Sequence, residues 1–132
     1  MKIIHLKKGD LVVKTLEEKL VGAGVSSGFL WGLGAVSKAE LMLYDLERKK
    51  YSSRKLAGAF EVVSFSAVIS KGMEDKKVMI HPHIVLSDKT FHCFGGHLKE
   101  AVVAATLEVA VFKSKDMVTR YFDKNIGLNL LK

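Results

Sequence analysis

The stretch HPHIVLSDKTFHCFGGHL, residues 81–98, holds four of the chain's five histidines. The apolar run from Val78 to Leu86 predicts a strand. On a strand, residues two positions apart project from the same face, so His81 and His83 stand side by side with Cα atoms roughly 6.6 Å apart. Pro82 between them cannot donate a hydrogen bond to a neighbouring strand, and it therefore marks a strand edge, a bulge or a strand end.

His97 supplies a third imidazole to this region. It follows Gly95 and Gly96, whose access to conformations closed to other residues can bring His97 to a neighbouring site. Three neutral imidazoles would leave a fourth position open on a zinc-like ion, which is the pattern of catalytic zinc sites. The alternative interpretation is that these histidines are unconnected surface or partly buried side chains, because the His-x-His pattern is common by chance.

Further strand patterns lie on both sides of this stretch. Residues 60–69 alternate between two faces, and residues 102–112 form a run rich in Val, Ala and Leu, so both segments predict strands. Gly32 and Gly34 punctuate an earlier apolar run, where they favour a bend or a close approach between backbones.

One helix is predicted near the N-terminus. Asp10 can accept hydrogen bonds from the free amides of the first turn. Gly22-Ala23-Gly24 ends the helix in a way that suits a left-handed cap. Between these ends, the apolar residues with helical spacing are Val13, Leu16 and Leu20.

The C-terminal end of the chain carries a different pattern. A second, short helix is expected over residues 117–124, from Met117 to Lys124. The segment after Lys113 is polar, so residues 1–113 are predicted to form one domain and residues 114–132 a C-terminal appendage. Together these patterns predict one or two helices and about seven strands in the whole chain.

Composition supports one globular domain. The chain has 132 residues, of which 48% are hydrophobic and 27% charged, so it can bury a core and is not disordered. Cys93 is the single cysteine, which excludes an internal disulfide framework and a four-cysteine zinc ribbon and favours a reducing compartment such as the cytoplasm. The uncharged run over residues 20–37 holds five glycines and is not interpreted as a membrane helix. No signal peptide is visible.

The formal net charge is +7, which raises the hypothesis of an acidic partner such as nucleic acid. Of the 21 cations only Arg48, Arg54 and Arg120 are arginines, whereas reading of base edges relies on arginine forks. The densest basic segment, residues 48–55, lies between two strand-like runs. It is interpreted as a solvated hairpin tip, with phosphate binding as the alternative.

Several motifs together resemble the PPC family, the "plants and prokaryotes conserved" domain that plants attach to AT-hook DNA-binding peptides. The matching stretches occur in the family's order and are spread over about residues 6–112. They are GFLWGLGA (28–35), GAFEVVSFS (58–66), HPHIVLSD (81–88), FGGHL (94–98) and TLEV (106–109).

The resemblance implies an α+β fold in which a helix packs on a mainly antiparallel sheet, and it implies a homotrimer. It also implies that His81, His83 and His97 converge, as the matching histidines do in the distant fold relative acetolactate decarboxylase, where three histidines hold zinc. Zinc or a similar divalent metal is therefore the expected cofactor.

Glu61 and Glu108 match acidic positions of the family and are embedded in apolar strands. They are the candidate catalytic residues, as a general base or as a group that orients a ligand histidine. The alternative is that each pairs with a lysine or arginine across the sheet or across a subunit boundary.

Two classes of function follow from these observations. The first is a small-molecule binding protein or a metal-dependent hydrolase or lyase. The second is a DNA-associated or protein-interaction module, as the plant members of the family suggest. An AT-hook needs an Arg-Gly-Arg core flanked by proline, but Pro82 is the only proline and no Arg-Gly pair exists, so any DNA binding is expected to be weak and non-specific. A trimeric scaffold with a vestigial site is the third hypothesis.

Overall fold

A computed structural model describes all residues, 1–132, and contains one helix and seven strands. The predicted α+β class and mainly antiparallel sheet are confirmed. No helix combines the length and the apolar character that crossing a membrane requires. The elements in chain order are β1 (Lys2–Lys7), α1 (Val12–Gly22), β2 (Gly28–Asp45), β3 (Lys50–Gly72), β4 (Val78–Ser87), β5 (Cys93–Lys113), β6 (Thr119–Asp123) and β7 (Leu128–Leu131).

Four strands pair in a closed circuit. β2 pairs with β3 and with β5, and β4 pairs with the same two strands, so the hydrogen-bonding path returns to its start. All four pairings are antiparallel. β1 extends β5 at one edge. β6 joins the end of β3 in a short parallel pairing at Lys71 and Gly72, and β7 pairs with β6.

The core lies on one face of this curved sheet. Along β4, Ile80, Ile84 and Leu86 are buried while His81 and His83 between them are exposed, as the period-two alternation of a strand requires. The opposite side, which carries His81 and His83, is called the outer face below. The apolar side of α1 contacts β1, β4 and β5, and its fully buried residues are Val12, Leu16 and Leu20.

The sequence predicts that Asp10 caps the first turn of α1. In the structure a distant residue caps this turn instead. The carboxylate of Asp10 accepts the backbone N–H of Lys7 at 2.8 Å, so it is turned away from the helix. Instead, Glu100 of β5 accepts the N–H groups of Val13 and Lys14 at 2.7 and 3.2 Å. At the other end, Gly24 adopts the predicted left-handed conformation, with a φ of +66°.

The prediction of a short helix over residues 117–124 is wrong, because this segment contains strand β6. Thr119, Tyr121 and Phe122 are β-branched or aromatic and favour a strand. A turn follows in which the carboxylate of Asp123 accepts the backbone N–H groups of Asn125 and Ile126. We call β6, this turn and β7 the C-terminal hairpin, residues 119–131.

The basic segment over residues 48–55 lies only partly at the predicted hairpin tip: residues 48–49 are in the turn between β2 and β3, and residues 50–55 belong to β3. The C-terminal hairpin reaches this region. Tyr44 on β2 donates its hydroxyl to the backbone oxygen of Ile126 at 2.6 Å, and Lys49 donates to the backbone oxygen of Lys124 at 3.4 Å. The C-terminal hairpin is therefore held at two places, at the end of β3 and at this tip.

Gly32 and Gly34 permit the close backbone approach that the sequence predicted. A Cβ atom added at Gly32 would lie 2.6 Å from the backbone oxygen of Glu108 on β5. A Cβ atom added at Gly34 would collide with the backbone oxygen of Thr106 and lie 2.7 Å from the Cα atom of Leu107. Backbone atoms cannot move aside as a flexible side chain can, so both positions exclude side chains.

Replacing Gly34 by Ala should lower the free energy of unfolding by about 1–3 kcal/mol, because the added methyl group forces β2 and β5 apart. Chemical denaturation at fixed protein concentration measures this change. Gly22→Ala is the matched control, since nothing lies within 4 Å of a Cβ atom at this helical position, and it should be neutral or stabilise by up to about 1 kcal/mol. Equal stability of the two variants would contradict the prediction.

Candidate metal centre

The register between β4 and β5 brings His81, His83 and His97 together. His83 and His97 are directly opposite each other in this pairing, so their side chains leave the same face of the sheet. His81 lies two residues before His83 and shares that face. Pairing between β4 and β5 begins at His83, one residue after Pro82, so the proline lies where this strand edge becomes free.

Gly95 matters because it has no side chain, and not because it adopts an unusual backbone conformation. Neither Gly95 nor Gly96 has a positive φ, so the conformational reason expected from the sequence is wrong. A Cβ atom at Gly95 would collide with the backbone oxygen of Ile84 on β4. Glycine at this position lets β5 approach β4 closely, and that approach sets the distance between His83 and His97.

The three imidazoles can hold one metal ion. Each offers a nitrogen, and these nitrogens all lie within 4.8 Å of one another. The ring centroids are 5.0 Å apart for His81 and His83, 5.1 Å for His81 and His97, and 5.5 Å for His83 and His97. Tetrahedral zinc needs nitrogens roughly 3.4 Å apart, so the three nitrogens must move closer together to bind one ion. No carboxylate takes part, and a set of imidazoles suits zinc and similar ions better than magnesium or calcium.

The surroundings of His81 and His97 favour the neutral form of both rings. Burial lowers the pKa of His81 to about 4, helped by the positive charge of Arg120 and by the neighbouring His97 and His83. Burial, followed by the proximity of His83, also lowers the pKa of His97. Both rings are therefore uncharged at pH 7, and an uncharged imidazole is the form that binds metal.

Arg120 is a residue of this site that sequence reasoning missed. It projects from β6 toward His81, and its Nη2 atom lies 3.4 Å from Nδ1 of that ring. Beside it is a pocket of about 360 Å³ whose wall includes His81, His97, Tyr51 and Arg120. The available signal was an arginine, one of only three in the chain, inside a β-branched and aromatic run. Because the sequence analysis predicts a helix for this run, it gives no indication that Arg120 points toward the histidines.

Glu61 and Glu108 lie away from the cluster within one chain. Glu61 is opposite Ser87 on β4, four residues beyond His83 and hence roughly 13 Å along the strand. Glu108 is opposite His5 and Leu33, eleven residues after His97 on β5, roughly 35 Å along the strand. Both side chains are exposed. Their catalytic role stays a prediction, and it requires that another copy of the chain bring them to the histidines.

Two solved structures share the whole fold. A protein of Archaeoglobus fulgidus described as metal-containing is 30% identical, with a TM-score of 0.89 over 99% of this chain and 91% of that one. A protein of Ralstonia eutropha JMP134, described provisionally as DNA-binding, is 27% identical, with a TM-score of 0.89 over 98% of this chain and 89% of that one.

A more distant likeness extends to an enzyme. Acetolactate decarboxylase of Bacillus subtilis is 9% identical, with a TM-score of 0.63 over 95% of this chain and 57% of the enzyme. At this identity the likeness shows the fold alone. A comparison of the sequence with curated proteins finds no match.

A comparison of the chain with sequence profiles of known domains tests the family that the motifs predict. The motifs that carry the resemblance lie on β2, β3, β4 and β5, the four strands of the closed circuit. They include His81, His83 and His97 as well as the glycines at which the backbones approach closely. The profile of the Plants and Prokaryotes Conserved (PCC) domain matches residues 1–115, and the chain belongs to this family.

Proposed function

We propose that the protein binds a divalent metal such as zinc at His81, His83 and His97 and uses this site to bind or convert a small molecule. The observation that carries the proposal is the convergence of three imidazole nitrogens within 4.8 Å on one sheet face. The description of the Archaeoglobus relative as metal-containing supports it.

The chain's own residues define what such a site can do. Three protein ligands leave room at a tetrahedral ion for one further group, and a bound divalent ion polarises an oxygen-bearing substrate as a Lewis acid. The pocket beside His81 and His97 has a volume of about 360 Å³, which fits a small molecule. This combination suits a hydrolase or a lyase. Glu61 or Glu108 would serve as general base only if a second copy of the chain supplies it.

Replacing His83 by Ala should weaken zinc binding by at least about tenfold. The change removes one of three nitrogens, and even the loss of a group that merely supports a ligand costs roughly 10–100-fold in affinity. Isothermal titration calorimetry of untagged, metal-free protein at neutral pH measures this change.

His5→Ala is the matched control for this experiment, since His5 is an exposed histidine on β1 and outside the cluster. It should bind zinc like the unaltered protein. If the unaltered protein takes up no zinc, or if both variants bind equally well, the metal proposal fails and the scaffold hypothesis takes its place.

We also propose that three copies of the chain assemble. The outer face carries an apolar stripe in which Phe29, Trp31 and Leu33 of β2 are 43%, 48% and 45% exposed. Phe112 of β5 lies directly opposite Phe29 and is 46% exposed. A contiguous exposed apolar surface of this kind marks an association site. The number three rests on the resemblance to the family.

Light scattering at micromolar concentration should give about three times the chain mass of 14.6 kDa. Trp31→Lys should reduce the mass to that of one chain, because it puts a charge in the middle of the apolar stripe. Leu43→Lys is the control, since Leu43 is 74% exposed near the hairpin tip and its replacement should leave the assembly intact. A monomeric unaltered protein would refute this proposal.

DNA binding is the second candidate function. The net charge of +7 favours contact with phosphates, and the Ralstonia relative is provisionally described as DNA-binding. The basic segment over residues 48–55 is the densest cationic stretch. With lysines as the main contacts, the association is expected to depend on charge and not on base sequence.

Fluorescence anisotropy with two short DNA duplexes of different sequence tests this candidate. Both duplexes should bind equally, and affinity should fall by about tenfold or more between roughly 50 and 200 mM salt, because lysines displace counterions. A double change of Lys50→Ser and Lys55→Ser should weaken binding and flatten the salt dependence. A salt-resistant complex that prefers one duplex would contradict non-specific binding.

A further inference from the structure

Arg120 is a buried cation without a carboxylate partner. Arg120 is only 8% exposed, and it is the only charged residue among the buried residues of the chain. Neither of the chain's two ion pairs includes it. Burying a charge costs free energy unless an opposite charge or a full set of hydrogen bonds compensates it.

The hydrogen bonds of Arg120 fix its direction but do not exhaust its donors. Nε donates to the hydroxyl of Ser70 at 2.9 Å, and Nη1 donates to the backbone oxygen of Asn129 at 3.0 Å. Nη2 lies 3.4 Å from Nδ1 of His81. A guanidinium has five N–H groups, so one N–H remains on each of the two terminal nitrogens. A pair of parallel N–H groups matches the two oxygens of a carboxylate or a phosphate.

Arg120 belongs to the wall of the pocket that adjoins the histidines. Tyr51, His81 and His97 line the same pocket. Arg120 carries the permanent charge among these groups, and no carboxylate lines the pocket. An anion that enters the pocket therefore meets a cation without a competing anion.

We propose that Arg120 binds the anionic group of the ligand of this site, so that the small molecule recognised beside the three histidines carries a carboxylate or a phosphate. This inference rests on the proposed function, since it names the ligand class of the same pocket. Arg120 lies beyond residue 115, where the match to the family profile ends. The anion-binding group is therefore supplied by the C-terminal hairpin.

The contact between Arg120 and His81 links the anion to the metal. A guanidinium only donates, so a neutral His81 that accepts at Nδ1 carries its proton on Nε2 and has no free lone pair for an ion. Metal binding by His81 requires this 3.4 Å contact to open, which releases one more N–H of Arg120. A bound anion then reduces the repulsion between the guanidinium and the divalent ion. Metal and anion are expected to strengthen each other's binding.

Titration of the metal-free protein with acetate and, separately, with inorganic phosphate tests the inference. Two-dimensional ¹H–¹⁵N NMR follows the Nε–H signal of Arg120 in the unaltered protein. At least one anion should shift this signal in a saturable way. Arg120→Gln should weaken binding of that anion by about tenfold or more, because it removes both the positive charge and the pair of parallel N–H groups. Arg48→Gln makes the same chemical change at an exposed arginine outside the pocket and should leave the affinity unchanged.

Two outcomes would overturn the inference. One is an Arg120 signal that neither anion shifts, which needs no variant and so holds even if Arg120→Gln disturbs the hairpin. The other is equal weakening by Arg120→Gln and Arg48→Gln, which would mean general charge attraction. Zinc titration of the unaltered protein and of Arg120→Gln in buffer without either anion separates the two proposals. Zinc binding without an anion response refutes only the role of Arg120, and an Arg120-dependent anion response without zinc binding refutes only the metal.

Discussion

The antiparallel pairing of β4 with β5 is the constraint on which the site depends. It sets His83 directly opposite His97, and the two-residue period of β4 then adds His81 to the same face. The pairing is possible at this distance because Gly95 leaves the backbone oxygen of Ile84 unobstructed. A slip of one residue would turn His97 to the other face of the sheet. The closed circuit through β2 and β3 opposes such a slip, since β5 is also paired with β2.

The electrostatic character of the pocket follows from what surrounds these strands. Desolvation by the residues packed around His81 and His97 disfavours the charged form of these two rings and lowers the pKa of each. The charge that remains is the guanidinium of Arg120, held by Ser70 and Asn129. The pocket therefore combines neutral nitrogen ligands with one fixed cation. Such a combination selects ligands that bring their own negative charge, and it selects them independently of the net charge of the whole surface.

Local patterns predicted most of the fold. The alternation over residues 60–69, the apolar run of β4 and the spacing of Leu16 and Leu20 are periodicities that can be read within one element. The meeting of His97 with His83 depends on register between strands. The family resemblance implied it, whereas the conformational freedom of Gly95 and Gly96 suggested it for a reason that the structure does not support. The cap provided by Glu100 and the position of Arg120 depend on residues far apart in the chain, and no short window of sequence records such contacts.

The pairing of β1 with β5 joins the two ends of the domain, since Lys2 pairs with Val111. A chain that is made from its N-terminus must therefore hold β1 without a partner while about a hundred further residues are added, roughly 5–20 s at ordinary rates of synthesis. Contacts of such sequence separation form slowly, because the long loop between them loses entropy when it closes. Ile3 and Ile4 of this unpaired strand are exposed to other nascent chains during that interval, so the newly made protein has its greatest tendency to aggregate just before β5 is complete.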